Sequence, residues 1–279
     1  MYENSSVTLA EFVHSDGTRV TDKIIGVGGT GIVIQKGQYA IKIPRLTREF
    51  DDDGGVALDE SMAPKEGEYD LLADLVGSLE RERAIYKRLG SHPSIMRCYN
   101  LSSADPSIQM DLIVNGDLRH YLAALDTPPG KKTQLSWLIN MAQTLAYIHQ
   151  RRVIVADIRL DNLLVDDQLA IKFTDFGEST LMPLHWDLQG DDGDGYSILT
   201  DIGQFGAIMF EIVTGQRCKF DPMQDWKDVG DPITLPTRDT IPSTSNVCLG
   251  HIIEKCWTQE FGSTNNLVVE LQSMVVDED

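Results

Sequence analysis

The second half of the chain carries an Asp-Ile-Arg-Leu-Asp-Asn run from Asp157 to Asn162 and, a short way on, Asp175-Phe176-Gly177. Each leading aspartate follows a short extended stretch, Val153-Ile154-Val155-Ala156 in one case and Ile171-Lys172-Phe173-Thr174 in the other. An acid placed just after a buried strand needs a reason, and catalytic or metal duty is one. Turn duty at a strand end explains either aspartate alone. It does not explain both, with an amide, Asn162, between them.

The first half offers a phosphate cradle. Gly26-Val27-Gly28-Gly29-Thr30-Gly31-Ile32-Val33 reads G-x-G-x-x-G-x-V. It lies between two predicted strands and not before a helix, so the dinucleotide-binding fingerprint does not apply. Gly26, Gly28 and Gly31 would let backbone N–H groups approach phosphate oxygens closely. Val33 would cover one face of an aromatic base. Lys42 follows, between Ile41 and Ile43. Glu82 shares a helical stripe with Leu75, Leu79, Tyr86 and Leu89, so it should face the core and need a partner. The bland alternatives are a surface lysine and a solvated glutamate.

These residues need elements to hold them. Strands are expected at Ile24–Ile25, Ile32–Ile34 and Tyr39–Ile43, with Pro44 ending the set. Residues 45–66, polar and acidic around Asp51-Asp52-Asp53-Gly54-Gly55, are expected to form a flexible loop. A helix runs from about Glu68 to Leu89 and stops at His92-Pro93. Ile95–Leu101 and Ile108–Val114 are expected strands. Helices follow at 117–125, 134–150, 200–215, 249–257 and 267–275, with short extended pieces at 153–155, 163–165 and 171–173. The class is α+β, a sheet-rich first part with one main helix and a helical second part. One domain spans 1–279, with an N-lobe of about 15–113 and a C-lobe of about 114–279.

Composition bounds the function. The chain has 279 residues, 43 acidic against 24 Lys and Arg, for a net charge of −19. That opposes a nucleic-acid footprint and an anionic membrane surface. Neither a spanning apolar run nor a signal peptide is evident, so an intracellular protein, cytoplasmic or nuclear, is expected. Cys98, Cys218, Cys248 and Cys256 have no metal-ligand spacing and are read as buried free thiols.

Taken together, from about residue 20 to 270, the chain resembles the eukaryotic protein-kinase superfamily with its bilobal fold. The resemblance implies an ATP- and Mg²⁺-dependent transfer to a protein hydroxyl, Ser or Thr in preference to Tyr. It implies that Asp157 orients the substrate hydroxyl as base, that Asn162 and Asp175 hold magnesium, and that Arg159 neutralises the γ-phosphate. Lys42 and Glu82 would form the ion pair that fixes the nucleotide. Met110 resembles the gatekeeper. Backbone groups of Asp111 and Ile113 would meet adenine, with Ala40 and Leu164 closing its pocket. Asp201 resembles the aspartate that anchors the catalytic loop, and Cys256-Trp257 the late Cys-Trp helix. Phosphoryl transfer loads charge on oxygens, so such a site needs cations held by carboxylates and an aimed hydroxyl.

The chain also departs from that family. Its His-Arg-Asp is Val155-Ala156-Asp157, and alanine cannot bind an activation-loop phosphate as arginine does. No activation-loop switch at Tyr196, Ser197 or Thr200 is therefore expected. The segment from Asp175 to Asp201 is short and lacks Ala-Pro-Glu. The arginine expected after Cys-Trp is missing near Thr264, and losing both partners of that ion pair is self-consistent. In this divergence the chain resembles kinase-like proteins of filamentous fungi. Three readings share the residue set: a protein kinase, a pseudokinase or nucleotide-binding scaffold, and a small-molecule phosphotransferase. The long acidic stretch between Lys42 and Glu82 could also serve a partner.

Overall fold

The structure is a computed structural model that describes residues 9–65, 67–222 and 235–276. Contacts group the chain into two compact units, one holding residues up to 87 together with 97–112 and the other holding 88–96 and residues from 113 onward.

The first unit contains two antiparallel sheets and most of one helix. Its strands are β1 (Leu9–Val13), β2 (Lys23–Val27), β3 (Gly31–Lys36), β4 (Tyr39–Pro44), β5 (Leu46–Phe50), β6 (Val56–Asp59) and β7 (Ile108–Asp111), and its helix is α1 (Leu71–Leu89). One sheet runs β2-β3-β4-β7 and the other β1-β5-β6. Alternating apolar residues bury Ile32, Ile34 and Ile43 as one core cluster. Val13 and Leu46 of the second sheet pack with Leu75 of α1. The helical stripe is as expected: Leu75, Leu79, Glu82, Tyr86 and Leu89 are all buried.

The second unit is mainly helical, with α2 (Leu118–Ala123), α3 (Lys131–Gln150), α4 (Ile198–Thr214), α5 (Gly250–Trp257) and α6 (Thr264–Val276). It also holds the short strands β8 (Val153–Ile154), β9 (Leu163–Val165), β10 (Ile171–Phe173) and β11 (Thr180–Leu181). β9 pairs with β10 and β8 with β11, both antiparallel. Asp117 caps α2 by accepting from the His120 N–H at 2.9 Å. Gly215 ends α4 in the left-handed region, where the absence of a Cβ removes the steric cost. Gly206 of α4 serves close packing: a Cβ there would lie 2.8 Å from that of Cys256 on α5.

Three expectations need correcting. The stretch 45–66 is not a loop, for β5 and β6 lie within it and pair with each other and with β1. Arg48, inside the stretch, pairs with Asp59 at 2.8 Å and with Glu11 of β1 at 3.3 Å. Asp51 closes the β5–β6 turn by accepting from the Gly55 and Asp53 N–H groups. Glu66, at the end of the stretch, lies outside the described residues, as do the last residues of the proposed C-lobe, 277–279. Ile95–Leu101 is not a strand but two isolated bridges, Ile95 to Phe173 and Cys98 to Met110. Asn100 there uses its side chain to accept the Gln109 N–H at 2.7 Å, replacing ladder hydrogen bonds. Ile108–Val114 shortens to Ile108–Asp111, after which the Leu112 N–H donates to Gln38 O.

Among the described residues the four cysteines form no disulfide, and only Cys218 and Cys256 are buried; Cys98 is half-buried and Cys248 is exposed. Burial pushes the Cys218 thiol up to about 12 and those of Cys98 and Cys256 higher still. Among the described residues no helix is long and apolar enough to cross a membrane.

Candidate functional site

In the first unit the expected nucleotide-side residues converge on β4. Lys42 stands on this inner strand, opposite Val33 of β3 and Ile108 of β7. Its Nζ lies 2.7 Å from Glu82 Oε2, and both side chains are nearly sealed from water, 8% and 2% exposed. Burying opposite charges is tolerable only as such a pair. Gly31 is where the loop most needs a glycine. A Cβ there would sit 3.0 Å from Lys42 Cε and 3.1 Å from Ile43 O, pushing the lysine stem aside. The Gly28 N–H donates to Gly31 O at 2.8 Å, closing the tip of the β2–β3 hairpin. Gly26 pairs with Val33. Ala40 and Met110 are register partners and both buried. Asp111 faces Tyr39 across the ladder, and its carboxylate accepts from Tyr99 Oη at 2.5 Å.

In the second unit the acidic and amide residues share one loop system. After β8 the chain turns through Ala156, whose φ of 65° is left-handed. That strain is held by α4: Asp201, fully buried, accepts the N–H groups of Val155 and Ala156 at 2.8 Å each. Gln204, one turn along α4, clamps the same loop from both ends. Its oxygen accepts from Ile158 N at 3.0 Å and its amide donates to Ala156 O at 2.6 Å. His149 Nε2 lies 2.8 Å from Asp201, and its Nδ1 lies 2.6 Å from Thr264 Oγ1. Thr264 is thus a buried hydrogen-bonding residue where the resemblance implied an arginine. An arginine–carboxylate pair nonetheless stands near Trp257. It joins Arg238 to Glu254 at 2.6 and 2.8 Å, with the guanidinium 5.6 Å from the Trp257 ring.

On this framework Asn162, ending a 3-10 turn, donates its amide to the Asp157 backbone carbonyl at 3.0 Å and to Asp157 Oδ2 at 2.8 Å. The Asn162 carbonyl accepts the Thr174 N–H at 3.1 Å, tying the loop to the residue before Asp175. Asp175 is exposed with a φ of 58°, and Phe176 behind it is fully buried. Leu164 is half-buried on β9, opposite Lys172. Burial raises the Asp157 carboxyl, aided by the charges of Asp175 and Asp161; Arg159 and the Asn162 bond oppose this. Arg159 is half exposed and lies 3.3 Å from Asp161. Asp157, Arg159, Arg119, Glu178, Tyr196 and Phe220 line a cavity of about 670 Å³.

The donor set suits a magnesium–nucleotide complex. Among the described residues no cluster of three or more His, Cys, Asp or Glu could cage an ion by itself. Magnesium commonly takes only one or two protein oxygens and completes its shell with water and phosphate. The Asn162 amide nitrogen is committed to Asp157, which turns its hard carbonyl oxygen the other way.

Sequence reasoning missed Gln204 and the half-buried bridge of Arg119, which binds Asp161 through Nε at 3.0 and 2.9 Å and Glu211 at 2.7 Å. The Asp201-x-x-Gln204 spacing, one helical turn, was a usable signal.

A family model described as protein tyrosine and serine/threonine kinase matches residues 68–267. Among curated relatives, a probable serine/threonine-protein kinase of Dictyostelium discoideum is 24% identical over 60% of this chain and 14% of its own length. The serine/threonine/tyrosine-protein kinase HT1 of Arabidopsis thaliana is 25% identical over 67% of this chain and 51% of its own length. The tyrosine-protein kinase SPK-1 of Girardia tigrina is 29% identical over 60% of this chain and 38% of its own. The chain therefore aligns to about half the length, or less, of these relatives.

Proposed function

Because this chain belongs to the protein tyrosine and serine/threonine kinase family, we propose that it transfers the γ-phosphate of ATP to a hydroxyl of a protein substrate, Ser or Thr in preference to Tyr. The observation that carries the reading is the Asp157 carboxylate, fixed by Asn162 on a loop that Asp201 and Gln204 clamp. Bound Mg-ATP supplies the transferable phosphoryl group, with the metal offsetting charge on its oxygens.

The protein's own part is positional. Asp157 accepts a hydrogen bond from the substrate hydroxyl, aims it, and takes its proton as the new O–P bond forms and the bond from the γ-phosphorus to the β,γ-bridging oxygen breaks, releasing ADP. Asn162 and Asp175 supply oxygen ligands to the magnesium. Arg159, half in solvent and 3.3 Å from Asp161, offsets charge on the γ-phosphate. Lys42, oriented by Glu82, engages the α- and β-phosphates, and the N–H groups of the Gly26–Gly31 hairpin approach the phosphate chain. Val33, Ala40, Met110 and Leu164 contact the adenine faces; backbone groups of Asp111 and Ile113 contact its edge. The test is turnover of radiolabelled ATP by the purified chain, with magnesium and with excess EDTA, including its own phosphorylation. Magnesium-dependent transfer supports the reading. Nucleotide binding without turnover replaces it with the scaffold reading, and absence of both rejects it.

The lack of an activation-loop switch has a structural corollary. Ser197 caps α4, its Oγ accepting from Leu199 N at 3.2 Å and Thr200 N at 3.3 Å, while Thr200 Oγ1 accepts the Ser197 N–H at 2.9 Å. Both hydroxyls are thus committed to a capping box. Ser197→Ala should cost about 1 kcal/mol in urea unfolding. Ser197→Asp, which can still cap, should leave both stability and turnover near wild type; a many-fold rise in turnover would contradict this account.

A further inference from the structure

We propose that Arg83 is a positioning residue that holds Glu82 against Lys42, keeping the ion pair formed without any phosphate or bound activator; this rests on the kinase reading above. Arg83 heads the largest fully buried side chains of the described residues, 1% exposed. A buried guanidinium demands carbonyl or carboxylate partners for its planar fork of N–H donors. It finds three carbonyls in the surface loop before β7. Its Nε donates to Ser107 O at 3.0 Å and its Nη2 to the same oxygen at 2.5 Å. Nη2 also reaches Asp105 O, and Nη1 donates to Ser103 O at 3.0 Å. Glu80, one turn back and half exposed, adds a carboxylate at 2.7 Å.

The loop is itself braced to receive this fork. Asn100 donates to Ser107 O at 3.1 Å, and the Ser107 hydroxyl donates to Asp105 at 2.6 Å. These contacts close a ring around the ion pair. Ser107 directly precedes Ile108, and Ile108 is the register partner of Lys42. Lys42 bonds Glu82, and Glu82 adjoins Arg83 on α1. Neighbouring residues of a helix point about 100° apart. Arg83 can therefore reach Ser107 only at the helix rotation that turns Glu82 toward β4. Rotating or sliding α1 to break the Lys42–Glu82 pair would strip several hydrogen bonds from a buried charge, a heavy penalty. This accords with Ala156, where the chain lacks an arginine to read an activating phosphate: a helix locked in place has no need of one.

Two measurements test this. The first compares kcat and KM for ATP of Arg83→Met and Arg83→Lys, each alone and combined with Glu82→Gln. Acting through Glu82, Arg83→Met should lower kcat/KM about tenfold in the wild-type background and no more than about twofold with Glu82→Gln, since only coupled residues depart from additivity. Arg83→Lys should recover part of the loss. The second is a crystal structure of Arg83→Met, in which Lys42 Nζ and Glu82 Oε2 should separate beyond about 4 Å, the limit of an ion pair. Equal losses in both backgrounds, or a pair still at 2.7 Å, would reduce Arg83 to a residue of stability alone and overturn the proposal. A wild type without turnover rejects the kinase reading, and the crystallographic distance then still decides on Arg83. Should Arg83→Met fail to fold, Arg83→Lys carries both comparisons.

Discussion

Asp157→Asn should lower phosphotransfer by about 10²- to 10⁴-fold, the span of general acid–base contributions, while magnesium-dependent ATP binding persists. The substitution is nearly isosteric. The carbonyl of the introduced amide can still accept the Asn162 N–H that in the wild type bonds Asp157 Oδ2 at 2.8 Å. The loop keeps its other holds, since Asp201 and Gln204 bind backbone groups and not this side chain. What disappears is the charge that draws the substrate hydroxyl and takes its proton. The same change should raise stability in metal-free buffer. Burial lifts the Asp157 carboxyl above its ordinary value of 3.8, so the folded state holds a proton that the unfolded state releases. As pH rises past that ordinary value, unfolding releases a proton and stability falls. Above the raised value the penalty is complete. Asparagine cannot ionise and escapes it, so Asp157→Asn should melt higher than wild type in EDTA at about pH 7 and no higher well below about pH 4. Full turnover by the variant would remove Asp157 from the chemistry. A lower melting temperature at neutral pH would contradict the electrostatic account.

The second large effect falls on the first unit. Lys42→Met should cost roughly 3–5 kcal/mol, as breaking one side of a buried ion pair does, and should weaken ATP binding as well. Glu82 lies 2.7 Å from the ammonium and is only 2% exposed, so removing the cation strands most of a carboxylate's charge away from water. A loss of that size is a large share of a stability of about 5–15 kcal/mol. Replacing both partners separates the two consequences. Lys42→Met with Glu82→Leu puts apolar groups where the pair stood, and such swaps are often neutral or better. The double variant should therefore recover most of the melting temperature yet none of the nucleotide affinity, as read by calorimetric titration with Mg-ATP. If Lys42→Met is as stable as wild type, the pair is not closed to solvent as described. If the double variant binds ATP normally, Lys42 does not hold phosphate.

How much of this was legible in the residues follows from the range of each interaction. The β2–β3–β4 hairpins, the buried stripe of α1 and the short strands before Asp157 and Asp175 were read from alternation and helical period. Those patterns depend on near neighbours, and burial on one face enforces them. The glycine loop, Lys42, Glu82, Asp157, Asn162 and Asp175 were named on residue type and spacing, and each stands on the kind of element assigned to it. The β1-β5-β6 sheet was not legible. Residues 45–66 look like a charged loop until their own Arg48 pairs with Glu11 of the distant β1, a contact that no local pattern shows. The strand expected at Ile95–Leu101 failed for a related reason: the Asn100 side chain competes for hydrogen bonds that a local pattern assigns to the ladder.

The sequence by itself determined which residues could do phosphoryl chemistry and which short elements carry them, because type and period are local properties. Only the tertiary structure decided how those residues are held. The grip of Asp201 and Gln204 on the Asp157 loop and that of Arg83 on the loop before β7 join residues far apart in the chain. Such contacts form where buried polar groups must find partners away from water, and that demand arises only once the chain has closed around them.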